Sequence, residues 1–457
     1  MPASPAPTQG DAYELFEYPG YAYPATHPAR LEAIARLFGL SPRPAAQSRV
    51  LELGCGDGGN LLSLAQALPG ARLMGIDAAA GAIERGARLA QAAGLENVEL
   101  RCMDLEELPE GRELGGAGSF DYILSHGVYS WIPPSARVAL LAGVRRYLAP
   151  MGVAYVSYNA YPGSYLRDMA RDILGFHVRE IEDPQRKLAA AQELMQAIVA
   201  IEEPSPYAQV LREHMDRMLR YSTALLFHDD LAEISTPFYF HEFMEHATHH
   251  QLAFLSEADL FESQMRDVPD SAGQLMEDLP DDVVVREQYL DFFKNRMFRQ
   301  TLLCHEEAPS SRALDTRAIE RLWISSSARP QRGEPSAQPM EETFATPEGF
   351  TVTTSEPLVR AAMNTLADAW PGAVRYPELL DGSVGGLGGE VSVEAAGARL
   401  LDVLLQAYLA RIVQLHGCAP TLSPHPGEHP LASPLARAQL AADLPAVSSL
   451  LHANVRL

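Results

Sequence analysis

The sequence predicts an open, parallel α/β sheet, interrupted by a helical insertion and followed by a smaller C-terminal domain. Three observations carry that prediction. Short apolar runs alternate with longer helical periods from Arg49 onwards, a glycine-rich stretch sits between the first run and the first helical period, and the alternation lapses after Tyr165 before resuming near His241.

Arg49–Leu53 reads as the first strand and Leu61–Leu68 as its helix. Arg72–Ile76 is a second strand, and Ala82–Ala93 is a helix that Gly94 can end in a left-handed conformation. Val98–Cys102 is a third strand, Phe120–Leu124 a fourth, Ala136–Tyr147 a helix, and Gly152–Tyr158 a fifth strand rich in Val and Tyr. Tyr165–Arg220 is charged and helical in period, with no strand candidate of comparable strength. A helix at His241–His250, a strand at Leu252–Leu255, a helix at Glu287–Asn295 and a strand at Phe298–Cys304 are expected to close the far edge of the sheet. Ser325–Met340, rich in Ser, Arg, Pro and Gln and without a period, reads as a linker. Beyond it, helices are expected at Pro357–Ala369 and Ala396–Ala410 around a turn region at Leu380–Gly389, with a short strand at Ile412–Leu415.

Composition narrows the function. The chain has 457 residues, enough for about two to four domains. Its 36 Lys+Arg against 59 Asp+Glu leave a net charge of −23, a field that repels phosphate backbones and suits a cationic or neutral partner. Nucleic acid is therefore not expected as a partner. Cys55, Cys102, Cys304 and Cys418 lie far apart, with no metal-type pair among them. No basic residue precedes Arg30 and no run of about 18 apolar residues follows, so neither membrane insertion nor a secretory leader is expected, and a cytoplasmic location is. His241, His246, His249 and His250 cluster at helical spacing, but without a carboxylate partner they read as a solvated helix face, and no metal is expected.

The chemistry centres on Val50-Leu-Glu-Leu-Gly-Cys-Gly-Asp-Gly-Gly-Asn60. Gly54, Gly56 and Gly58 fall where a strand must turn into a helix and a ligand must touch backbone, with Glu52, Asp57 and Asn60 beside them. This spacing also satisfies a dinucleotide fingerprint through Gly54, Gly56 and Gly59. Asp77, ending the second strand, can accept both hydroxyls of a ribose, which serves NAD and S-adenosylmethionine alike. Asp104, just past the third strand and followed by Leu105, favours S-adenosylmethionine, because an acid at that position can accept a hydrogen bond from an adenine amino group.

His126-Gly-Val-Tyr-Ser-Trp-Ile-Pro133 and Ser157-Tyr-Asn-Ala-Tyr-Pro-Gly163 resemble signature segments of the bacterial methyltransferases that carry a methyltransferase regulatory domain, a group that includes the rickettsial lysine methyltransferases of outer-membrane proteins. Thr26–Leu31, Phe227–Leu231, Glu287–Arg296 and Phe298–Cys304 are similar to further stretches of that family, so that the resemblance spans roughly Tyr13–Glu306. It implies a class I (Rossmann-like) methyltransferase sheet with a helical insertion over the site and S-adenosylmethionine as methyl donor. Only loosely does it imply a winged-helix-like C-terminal domain, from which the glycines of Gly382–Gly389 depart. The resulting division is 1–164 for an N-terminal lid and the main part of the methyltransferase domain, 165–235 for the insertion, 236–308 for the remaining, regulatory-domain-like sheet, 309–340 for a linker and 341–457 for the last domain.

Methyl transfer from a sulfonium requires alignment more than a protein nucleophile. The expected acceptor is a lysine amine of a protein or peptide, which must be neutral to attack and would be steered by aromatic faces. Tyr129, Trp131, Tyr158, Asn159 and Tyr161, which follow the fourth strand or end the fifth, are the expected channel residues. His126 is expected as a hydrogen-bonding wall of the cofactor site, and Tyr23 and His27 as part of a lid formed by the tyrosine-rich stretch Tyr13–His27. A small-molecule or peptide methyltransferase, a non-catalytic cofactor-sensing or partner-binding protein, and an NAD enzyme are the competing functions.

Overall fold

The computed structural model describes residues 20–109, 114–202, 204–266, 268–331, 341–385, 392–422 and 427–457. Tyr13 and Tyr18 of the expected lid, residues 332–340 of the expected linker and residues 386–389 of the glycine-rich turn lie outside them. After the helix α1 (Pro28–Leu37) come β1 (Arg49–Leu53), α2 (Gly59–Ala67), β2 (Arg72–Asp77), α3 (Ala80–Ala93), β3 (Val98–Cys102), β4 (Phe120–Ser125), α4 (Pro134–Tyr147) and β5 (Leu148–Asn159). The expected elements are all present, displaced by at most a few residues at their ends. Gly94 caps α3 at φ 67°, in the left-handed conformation expected of it.

Helices α5 (Ser164–Val178), α6 (Pro184–Val199) and α7 (Pro206–Met218) form the insertion. Asp183 and Ser205 cap α6 and α7 just ahead of a proline at the first helical position, which explains the sharp starts. The insertion has its own apolar cluster, with Leu174, Ala191, Met195 and Met215 at its centre.

The chain then returns to the sheet with α8 (Phe240–His249), β6 (Leu252–Glu257), α9 (Asp270–Glu277), α10 (Val283–Lys294) and β7 (Phe298–His305). Among the described residues, seven strands form one sheet in the order β3-β2-β1-β4-β5-β7-β6. β1 to β5 run parallel, while β7 inserts antiparallel between β5 and β6. The order reverses between β1 and β4, so the connections leaving their carboxyl ends diverge and open a crevice at that edge. One face packs against α4 and α8, the other against α1, α2 and the C-terminal helices.

The stretch expected as a linker is corrected. Its described part holds a 3₁₀ helix at Thr316–Arg321 and the strands β8 (Trp323–Ser325) and β9 (Arg329–Pro330). Ile319, Leu322 and Ile324 are buried in the same core as the sheet, an apolar set masked in the sequence by polar neighbours. β10 (Glu342–Ala345) pairs with β9 and with β11 (Thr351–Thr354). After α11 (Pro357–Ala369), β12 (Val374–Arg375), α12 (Tyr376–Val384), α13 (Val393–Leu409) and β13 (Gln414–His416), β8 proves to be the centre of the sheet β12-β8-β13. Small sheets and helices thus make up the C-terminal region, and α12 begins ahead of the expected turn region and covers its first residues. The tail, to which the sequence assigns no element, folds as α14 (Pro434–Ala441) and the hairpin of β14 (Ala446–Ser448) and β15 (Asn454–Arg456).

Candidate active site

The turn after β1 is built from glycines because the backbone demands them: Gly54, Gly56 and Gly58 have φ of 73°, 57° and 75°. A Cβ on Gly54 would lie 2.5 Å from Val128 Cγ2, whereas one on Gly56 would meet nothing within 4 Å and would project into the crevice. Asp77 braces the turn from the neighbouring strand. Its Oδ2 accepts the Gly56 N–H at 2.8 Å and its Oδ1 the Ala79 N–H at 2.9 Å. Asp57 accepts the Gly59 N–H at 3.0 Å.

Below the turn, Asn60 donates to Glu52 Oε1 at 2.7 Å, and its own oxygen accepts the Tyr23 N–H at 2.9 Å and the Thr26 hydroxyl at 3.2 Å. Glu52 Oε2 is buried with no hydrogen-bond partner among the described residues. Burial pushes the Glu52 carboxyl up to about 8, against the pull of the Asn60 hydrogen bond. An orphaned acceptor of this kind, next to backbone open at Gly56, fits a ligand that brings a cation or a donor.

His126, past β4, pairs its Nδ1 with the Tyr155 hydroxyl at 2.8 Å and stacks its ring on Tyr23 at 3.7 Å. Desolvation lowers its pKa to about 4, so it is a neutral wall. Tyr23 therefore lies over the site. His27 caps α1, its Nδ1 accepting the Ala29 N–H at 3.1 Å, and its ring stands edge-on to His452 at 5.4 Å. Asp104 stands at the carboxyl end of β3, where its Oδ1 accepts the Glu106 N–H at 2.9 Å, and Leu105 beside it is buried.

Residues 50–152 match the family model described as a methyltransferase domain, and residues 222–305 match the one described as a predicted methyltransferase regulatory domain. The uncharacterized protein RP028 of Rickettsia prowazekii is 34% identical over 238 residues, which cover 52% of this chain and 93% of that protein. This chain belongs to the S-adenosylmethionine-dependent methyltransferases with a regulatory domain.

The structure of PKMT2 from Rickettsia typhi in complex with AdoHcy superimposes with a TM-score of 0.82 at 27% identity, covering 96% of this chain and 86% of that one. The uncharacterized protein RP789 of Rickettsia prowazekii is 32% identical over 322 residues, 70% of this chain, and the match spans 57% of its own length. S-adenosylmethionine is accordingly the methyl donor, and the glycine turn with its orphaned carboxylate fits it.

On the acceptor side, the structure separates the expected channel residues. Tyr129 and Tyr158 are fully buried with Phe238 and Phe243, their hydroxyls spent on His246 Nδ1 at 2.7 Å and on the Thr301 hydroxyl at 3.1 Å. They are core residues: Tyr158 points from β5 into the packed layer, and Tyr129, in the turn after β4, is closed in by the same phenylalanines. Trp131 is half-buried, with the guanidinium carbons of Arg167 and Arg171 each 5.7 Å from the ring centre. Those arginines are held by Asp229, Asp230 and the carbonyl of Ala232, so cations of the protein itself already cover the tryptophan. Asn159 is buried at the end of β5, its N–H donated to the Ser130 hydroxyl at 2.9 Å.

Tyr161 alone of the five stands in an open aromatic rim. Its hydroxyl donates to Asp168 Oδ2 at 2.8 Å, its ring stacks on exposed Tyr165 at 4.2 Å, and Tyr239 lies 5.3 Å away. Burial raises the Asp168 carboxyl above its ordinary range. Asp168 and Tyr165 are absent from the sequence-based expectation: they lie on the first turns of α5, while Tyr161 sits in the turn ahead of it, so no single period links the three. Tyr239 arrives from a distant segment and leaves no local signal.

Proposed function

We propose that this chain transfers methyl groups from S-adenosylmethionine to lysine amines of a protein substrate, in the cytoplasm. The observation that carries the reading is the rim of Tyr161, Tyr165 and Tyr239 around Asp168, past the carboxyl end of β5. Aromatic faces and one carboxylate suit an ammonium better than they suit a carboxylate or phosphate acceptor. The net charge of −23 supports the same choice, as does the likeness to PKMT2.

In this reading, the backbone at Gly54–Gly58 holds the methionine part, with Glu52 and Asn60 toward its ammonium. Asp77 takes the ribose hydroxyls, Asp104 and Leu105 flank the adenine, and His126 and Tyr23 close the side. The bound donor supplies an electrophilic methyl on a sulfonium sulfur. The rim concentrates the amine, and Asp168, with its raised affinity for protons, accepts the one that the ammonium must lose before attack. The regulatory-domain region supplies β6 and β7 as the sheet edge that supports the rim, and we assign the segment after 308 to the C-terminal domain.

Incubation of the chain with methyl-labelled S-adenosylmethionine and fractionated host lysate is expected to place label on protein lysines. Label confined to small molecules would overturn the reading. Asp168→Asn is expected to lower kcat/KM for the protein acceptor about tenfold, with part of the loss in kcat, and to leave S-adenosylhomocysteine affinity unchanged.

A further inference from the structure

The segment Gly20–Tyr23 runs directly across the glycine turn. A Cβ on Gly59 would lie 2.5 Å from the carbonyl carbon of Gly20, and one on Gly20 would collide with Asp57. The Tyr23 N–H is tied to Asn60 and its ring to His126, so this short stretch spans the site from Asp57 to the wall. The groups that hold it down come from the other end of the sequence. Asn454 accepts the Ala22 N–H at 2.9 Å and donates its amide to the Ala22 carbonyl at 2.9 Å, imitating the two bonds of a β-ladder with one side chain. His452, at φ 53° in a tight turn, is 1% exposed. Its Nε2 lies 3.2 Å from the Tyr23 carbonyl and its Nδ1 2.9 Å from the Ser63 hydroxyl on α2. A carbonyl can only accept, so Nε2 carries the proton and Nδ1 accepts from Ser63. Burial keeps this ring neutral, which that pair of bonds requires.

The tail that presents these groups is itself anchored to the methyltransferase sheet. Leu435 of α14 is buried against Leu62, Ala90 and Ala93 of α2 and α3, and Gln439 locks the hairpin through both the N–H and the hydroxyl of Ser448.

We propose that Asn454 and His452 are positioning residues of the cofactor site, a clasp through which the C-terminal hairpin fixes Gly20–Tyr23 over the glycine turn. The inference rests on the cofactor assignment and not on the acceptor. With the clasp intact, bound donor and spent S-adenosylhomocysteine are both enclosed. With it open, the ligand loses the wall formed by Tyr23 and dissociates faster.

The test compares the full-length chain with Asn454→Ala, Asn454→Asp and, on the same hairpin but away from the segment, Val455→Ala. Amide exchange at Ala22 and Tyr23 without ligand is expected to quicken about tenfold in Asn454→Ala, which loses both hydrogen bonds, and by about threefold in Asn454→Asp, which keeps the acceptor for the Ala22 N–H and loses the bond to its carbonyl. S-adenosylhomocysteine binding should weaken by the same factors, with Val455→Ala like the parent. The near-isosteric Asp discriminates, because a residue that merely filled space would tolerate it, whereas a carboxylate cannot donate to the Ala22 carbonyl. Unchanged exchange at Ala22 and Tyr23 in Asn454→Asp would overturn the clasp whatever the ligand. Equal weakening by Val455→Ala would overturn it as well.

Discussion

Glu52 puts the most unusual single demand on this molecule. Its carboxyl is held up to about 8 because burial penalises the charge, and one oxygen has no partner among the described residues. The sign follows from linkage: an acid whose pKa is raised by folding favours the folded state at low pH. That advantage declines as pH rises from the ordinary carboxylate range to about 8, above which the full cost of a buried charge is present. A ligand ammonium facing Glu52 offsets that cost. S-adenosylhomocysteine binding is therefore expected to tighten between pH 6.5 and 8.5, with a proton released on binding near neutral pH, measurable by calorimetry in buffers of different ionisation enthalpy. Glu52→Gln should bind more weakly by about tenfold and lose this pH dependence. A parent chain that releases no proton would contradict the role.

At the scale of elements, the regulatory-domain edge of the sheet is fixed by Arg299 on β7, which is fully buried. It bonds Glu257 of β6 at 2.7 Å and Asp291 and Glu287 of α10 at 2.8 and 3.0 Å, with its guanidinium 3.8 Å above the Phe240 ring of α8. One cation thus joins two antiparallel strands to two helices. Arg299→Met is expected to cost about 3–5 kcal/mol at pH 8, since it strands buried carboxylates, though Arg296 remains 3.0 Å from Asp291. Burial already raises Asp291 despite both arginines. Protonation should then relieve the variant as pH falls, so urea unfolding should find a smaller deficit at pH 5.5 than at pH 8. Equal deficits would argue against stranded charge.

Apart from α9, the strands and helices from residues 49 to 305 were legible, because each carries its own apolar period and its own punctuation, as with Gly94 and Asn295. The glycine turn, Asp77 and Asp104 were legible for the same reason: a strand end followed by a short polar signal is local. Which aromatic faces the crevice was not. Tyr129, Tyr158 and Tyr161 look alike in sequence, and only the packing of Phe238 and Phe243 from a later segment buries two of them. Trp131 was covered by arginines of the insertion, again a distant choice. The strand β8 was hidden because a strand of three residues beside a polar stretch has no period to read.

Over the whole molecule, Gly20–Tyr23 and the C-terminal hairpin meet beside the glycine turn while the proposed acceptor rim lies beside the insertion, so the proposed reading has the two substrates meet different parts of the chain. Their electrostatics differ too. Glu52, in the proposed cofactor site, is buried, and a charge there acts at contact distance, where salt screens little. The rim is open, and the lysine-bearing protein we propose as acceptor would approach it through the field of a chain carrying −23. Raising ionic strength from about 0.05 to 0.3 M shortens the screening length from over 10 Å to under 8 Å, which removes most of that long-range attraction. The KM for a basic protein acceptor is therefore expected to rise several-fold over this range, while S-adenosylhomocysteine affinity changes by less than twofold. If both constants stay flat with salt, the acceptor is not gathered by charge, and the rim must select its amine by contact alone.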